Sequence, residues 1–136
     1  MNESMFSLKG KVALVTGGGT GVGESIAVTL SNAGATVALA ARRVEKLKET
    51  EANIVASGGV AKSFSLDVSS EESIKKCLDS VTERIGEIDI LINNAGTTTV
   101  GLLDQTDADD WDMVINTNLK GPWLLAKEWV SRRKKN

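Results

Sequence analysis

The chain has 136 residues, 41% hydrophobic and 25% charged, the make-up of one globular domain able to bury a core without staples. It holds no histidine and no tyrosine, which excludes a Ser-His-Asp triad, a histidine-ligated metal and any phenol-dependent step among these residues. The single cysteine, Cys77, allows neither an internal disulfide nor a cysteine-ligated zinc, and a net charge of -2 recruits neither nucleic acid nor anionic membrane.

Residues 1–9 lack the apolar core of a secretory signal, and no apolar run approaches the ~18 residues of a membrane span. A cytoplasmic protein with no membrane partner is expected. Residues 11–16 then form a short β-branched run bounded by glycines, the pattern of a buried strand. Val22, Ile26, Leu30 and Ala33 recur at helical spacing, with Gly34 as the stop. A second strand is expected over residues 36–41 and a weaker helix from Val44 to the Gly58-Gly59 pair. Residues 60–66 alternate as a third strand. Ile74, Cys77, Leu78, Val81 and Ile85 form the clearest helical stripe, stopped by Gly86, and a fourth strand follows over residues 88–92. From Thr106 the pattern is helical to the end. Thr106 is the expected N-cap, acidic residues fill the first turn, and Gly121-Pro122 permits a break or restart before residues 123–130.

Strands and helices that alternate with short connections imply one α/β domain over residues 1–136. The expected architecture is a three-layer αβα, Rossmann-type, doubly wound parallel sheet of strand order 3-2-1-4.

The first chemical motif lies between the first strand and the first helix: Gly17, Gly18, Gly19, Thr20, Gly21, Val22 and Gly23, preceded by Thr16. Glycines let the backbone approach a ligand closely while helix N–H groups face an anion, so a pyrophosphate is the natural guest. In a Walker A register running from Gly18 to Gly23, Glu24 stands where the phosphate-binding lysine belongs, which disfavours an ATPase or GTPase. No register supplies GxGxxG. What remains is TGxxxGxG.

Three later segments join it: Asp67 and Val68 after the third strand, Asn93-Asn94-Ala95-Gly96 after the fourth, and the stretch around Asn118. In this order and spacing they resemble the short-chain dehydrogenase/reductase family, over most of the chain. The resemblance implies that the glycine loop holds a dinucleotide pyrophosphate, that Asp67 contacts adenine and Val68 covers it, and that Asn93 to Gly96 line the ribose side. It also implies that Asn118 is the asparagine of the catalytic set, which orders a water in the proton relay. The turn Ala41-Arg42-Arg43 and the 94–103 segment look most like reductases of 3-oxoacyl-carrier-protein type and polyol dehydrogenases.

Cofactor choice reads from the end of the second strand. Sites that prefer NAD carry an acid roughly 20 residues after the loop. Here that position is Ala41, followed by Arg42 and Arg43. A guanidinium offers bidentate, charge-assisted bonds to a 2′-phosphate. NADP(H) is therefore expected over NAD(H), with Arg42 as the main contact and Arg43 in support.

The resemblance further implies hydride transfer between nicotinamide and a carbonyl or alcohol substrate. The Ser, Tyr and Lys of the family's catalytic set have no counterpart in these residues. Two readings follow. One is the N-terminal, cofactor-binding part of an oxidoreductase that ends before a fifth strand and forms a dimer or tetramer in full-length form. The other is a short module for nucleotide binding or oligomerisation without catalysis. Trp123, Leu124, Trp129 and Val130 are expected to lack partners on the last helix, and Trp111 to serve helix packing. Cys77 reads as a small core hydrophobe, the aspartates from Asp104 to Asp112 as helix-start charge rather than a metal site, and the basic run from Arg132 to Lys135 as a last turn facing its own dipole.

Overall fold

The computed structural model describes residues 5–135. The first four residues of the N-terminal segment, and Asn136, lie outside that range. Four parallel strands form one sheet in the order β3-β2-β1-β4: β1 (Val12–Thr16), β2 (Thr36–Ala41), β3 (Ala61–Ser65) and β4 (Ile90–Ile92). Register runs from Val12 opposite Thr36, Val37 opposite Ala61 and Ala13 opposite Ile90. The expected sheet and strand order are as observed.

Helices cover both faces, which explains why the central strands read as apolar runs rather than alternating ones. Side chains alternate along each strand. Val37 and Leu39 face α1 (Gly21–Asn32) and α2 (Lys48–Ala56), packing with Val15, Ala27, Leu47 and Ile54. Ala38 and Ala40 face the other way with Leu14 and Phe64. There they meet Ile74, Leu78 and Val81 of α3 (Glu71–Arg84) and Leu124 and Leu125 of α5 (Gly121–Lys135). Cys77 is buried in this second cluster, and burial pushes its thiol up to about 12, as suits a core hydrophobe.

Strand β4 is shorter than its apolar run. Ile88 is buried but outside the strand, and Asp89 substitutes for ladder bonding: its N–H donates to Val12 O (2.9 Å) while its carboxylate accepts from Val12 N–H (2.9 Å). That hydrogen bond is the main reason the Asp89 carboxyl is held below its ordinary range, with Arg133 adding to it.

The C-terminal helices correct three expectations and show how a fourth is met. Helix α4 (Ala108–Ile115) is capped by Asp107, not Thr106: the Asp107 carboxylate accepts from Asp110 N–H (2.9 Å), and the Asp110 carboxylate reaches back to Asp107 N–H (3.4 Å). Such a capping box explains the acidic first turn. The Thr106 hydroxyl instead donates to Leu102 O (3.0 Å) across the short 3-10 turn Leu103–Gln105. At Gly121-Pro122 the chain restarts as α-helix without a break. A π turn, Asn116–Lys120, joins α4 to α5, and Gly121 N–H reaches Asn116 O five residues back. Pro122 has no N–H, and its ring crowds the carbonyl four residues earlier; widening the preceding turn relieves both.

Trp111 is 65% exposed rather than packed. Leu124 and Trp129 do find partners, Leu124 in the core and Trp129 against it, with the indole N–H donating to Ile88 O (2.8 Å). Trp123 and Val130 stay exposed. The basic last turn makes specific bonds: Arg132 to Asp79 (2.6 Å) and Glu128 (3.1 Å), Arg133 to Asp89 (3.3 Å). Among the described residues no helix is long and apolar enough to cross a membrane.

Candidate functional site

Four parallel strands bring four chain segments to one edge. At the end of β1, Thr16 is 1% exposed and fully engaged: its hydroxyl accepts from Asn94 N–H (3.0 Å) and Ala95 N–H (2.9 Å) and sits 3.4 Å from Ile92 O. Thr16 thus ties the glycine loop to the segment after β4.

Gly17 turns away from the strand at φ +66, the left-handed region that a side chain disfavours, and its N–H donates to Ala40 O (2.8 Å). The Asn94 amide donates to Gly17 O (3.1 Å). Gly23, buried in the first turn of α1, lies so close that a Cβ would collide with Gly17 O and the Asn94 amide. Gly18 packs on Leu39, and Gly19 lies beside Lys46 O. Thr20, Gly21 and Val22 are exposed at the start of α1.

The helix termini differ in one informative respect. Ser70 caps α3 and Asp107 caps α4, whereas Thr20, the N-cap of α1, supplies no side-chain bond, and neither does Leu47 at α2. The first-turn N–H donors of α1 therefore lack a side-chain acceptor beside the glycine loop. That donor set suits an anion such as a pyrophosphate.

A cleft at this carboxyl edge is lined by Thr16, Gly17, Ala40, Ala41, Arg42, Leu66, Asp67, Val68, Ala95, Gly96 and Thr117. Of the residues singled out from sequence it brings together Gly17, Arg42, Asp67, Val68, Ala95 and Gly96. Asp67 accepts from the Ser69 hydroxyl (2.6 Å) and N–H (2.9 Å). The hydroxyl bond is the largest influence lowering the Asp67 carboxyl, and the charge of Arg42 adds to it. Arg42 is exposed at the rim. Arg43 lies outside the cleft as N-cap of the 3-10 turn Val44–Leu47. Asn93 also turns away, its amide 3.4 Å from Pro122 O.

Asn118 sits on the π turn next to Gly96, and both ends of its amide are engaged by Thr97. Oδ1 accepts from Thr97 N–H (2.8 Å) and Nδ2 donates to Thr97 O (2.7 Å). Two further groups had no role assigned from sequence: the hydroxyl of Thr16, the first residue of the TGxxxGxG motif, which is buried under the loop, and Thr117, which a helix carries into the cleft. The partners of Thr16 lie more than 70 residues away in the chain, so sequence alone does not name them.

The architecture defines a doubly wound α/β fold of Rossmann type with its cleft at the carboxyl edge of the sheet. The family model for short chain dehydrogenases matches residues 11–135, and the chain belongs to that family. It is 44% identical over 124 residues to an oxidoreductase of Caenorhabditis elegans, covering 90% of this chain and 40% of that protein. Over 126 residues it is 43% identical to 3-oxoacyl-acyl-carrier-protein reductase of Pseudomonas aeruginosa, covering 90% of this chain and 49% of the reductase. A metagenomic short-chain oxidoreductase solved in complex with NADP superposes with a TM-score of 0.83 at 43% identity, over 88% of this chain and 55% of that one. The chain spans about half the length of the relatives it matches, or somewhat less.

Proposed function

We propose that residues 1–136 form one cofactor-binding unit of an NADP(H)-dependent oxidoreductase acting between a carbonyl and an alcohol. The observation that carries this reading is the single cleft uniting Gly17, Arg42, Asp67, Val68, Ala95 and Gly96 from the carboxyl ends of all four strands. The NADP-bound relative of the same fold supports it.

In this reading the loop from Gly17 to Gly23 and the uncapped start of α1 take the pyrophosphate. Arg42 reaches the 2′-phosphate from the rim, with Arg43 adding positive charge nearby. Asp67 accepts from the adenine amine, Val68 covers the ring, and Ala95 and Gly96 form the ribose side, with Asn94 bracing the loop through Gly17 O. When bound, the cofactor supplies or accepts the hydride at its nicotinamide. Asn118 contributes as a positioning residue, because its amide is closed on Thr97. The exposed Trp111, Trp123 and Val130 give apolar surface suited to packing between copies in a dimer or tetramer.

Calorimetric titration of the chain with NADPH and NADH tests the reading. Tighter binding of NADPH is expected; no binding of either dinucleotide would overturn it.

A further inference from the structure

Thr117 is a polar side chain that the proposed roles leave without a task. It lies in the π turn Asn116–Lys120, is half-buried, and lines the cleft. The other lining residues lie at or just beyond strand ends; Thr117 alone comes from a helix.

Helical threonines commonly satisfy their hydroxyl by donating to the carbonyl four residues back. Thr29 does so here, to Ser25 O at 2.8 Å. Thr117 Oγ1 has no hydrogen-bond partner among the described residues. The other hydroxyl in the cleft, on Thr16, is committed to Asn94, Ala95 and Ile92. Asp67 is an acceptor only when ionised, and Arg42 stands exposed at the rim. Thr117 is thus the one neutral hydroxyl of the cleft, among the described residues, that is free to bond a guest.

Its neighbours place it over the inner wall. Gly121, one turn on, is packed so closely that a Cβ would stand 2.8 Å from Val68 O. Asn118, the next residue, has its Oδ1 3.4 Å from where a Cβ on Gly96 would be. Thr117 therefore hangs between the Asp67-Val68 segment and Gly96, on the side proposed for adenosine.

We infer that Thr117 is a further ligand-binding residue, whose hydroxyl hydrogen-bonds the adenosine moiety of the dinucleotide held in the cleft. The inference rests on the NADP(H) reading. The acceptor-only Asp67 and the hydroxyl of Thr117 then give adenosine both an acceptor and a donor.

The test is calorimetric titration of the wild-type chain, Thr117→Val and Thr117→Ser with NADPH and with adenosine 2′,5′-bisphosphate. Valine keeps the shape and removes the hydroxyl; serine restores it. The Val variant is expected to bind both ligands about 2- to 12-fold more weakly, the worth of one neutral hydrogen bond, and the Ser variant to recover most of that loss. Unchanged affinity in the Val variant would overturn the inference. So would an equal loss in Val and Ser variants, which reports packing, or a loss for NADPH alone, which places Thr117 at the nicotinamide half. Failure of the wild type to bind either ligand would overturn the NADP(H) reading and this inference with it. Normal wild-type binding with an unaffected Val variant would overturn this inference alone.

Discussion

Asn118 closes a ring of two hydrogen bonds on Thr97, accepting from its N–H at 2.8 Å and donating to its carbonyl at 2.7 Å. Only a primary amide can do both from one side chain in this orientation, since a carboxylate has no donor. The ring fixes the start of the 97–103 segment against the π turn. Asn118→Asp keeps the size and removes the donor, so the segment is expected to open more often. With about 1 kcal/mol per bond, amide exchange at Thr97 should accelerate about fivefold, read by hydrogen exchange. Unchanged exchange at Thr97 would show that the ring does not hold the segment.

Thr16 anchors the other side of the cleft. Thr16→Val preserves shape but strands the N–H groups of the half-buried Asn94 and Ala95. A loss of about 1–3 kcal/mol is expected, seen as a lower urea midpoint with unchanged slope. Thr16→Ser should stay close to wild type.

Arg42→Asp is expected to weaken NADPH more than NADH, by the loss of a charge-assisted bond and added repulsion. Bonds to charged groups contribute about 1.5–3 kcal/mol, roughly tenfold or more in affinity. Equal losses for both cofactors would return Arg42 to an ordinary surface charge.

Asp89 gives a pH dependence with a defined sign. Its folded carboxyl is lowered, chiefly by the Val12 N–H bond, so its stabilising contribution is complete above the unfolded aspartate value. The contribution is lost as pH falls through the lower folded value. Asp89→Ala should therefore cost about 1–2 kcal/mol at neutral pH, and the gap from wild type should close on strong acidification. A gap constant down to acid pH would contradict the ionised bond to Val12.

The 136-residue chain by itself is expected to show no dehydrogenase turnover. General acid–base catalysis is typically worth ~10²–10⁴-fold, and neither a phenol nor an imidazole is present to provide it. Steady NADPH oxidation by homogeneous protein, abolished in Asn118→Ala, would relocate the chemistry to these residues.

The sheet and its order were legible because local signals agreed. Apolar runs such as residues 12–16 and 36–41 name buried strands, and intervening helical stripes force parallel, right-handed crossovers. The stripe of Ile74, Cys77, Leu78 and Val81 likewise declared the buried face of α3. Glycine spacing marked the loop, since a φ of +66 at Gly17 leaves few other residues possible. Tertiary structure alone decided what a residue does with its polar atoms. Thr106 looked like a cap, yet Asp107 took the role because a carboxylate is the stronger acceptor for the first-turn N–H. Gly121-Pro122 looked like a break or restart, and the distortion falls in the π turn just before it, with Gly121 packed closely on Val68. Thr16, Thr117 and Asn118 act on partners far along the chain or on the cleft itself. Periodicity reports which face is buried, not which distant backbone group will stand within 3 Å of a side chain once the strands align, on the usual hydrogen-bond distance of about 2.9–3.0 Å.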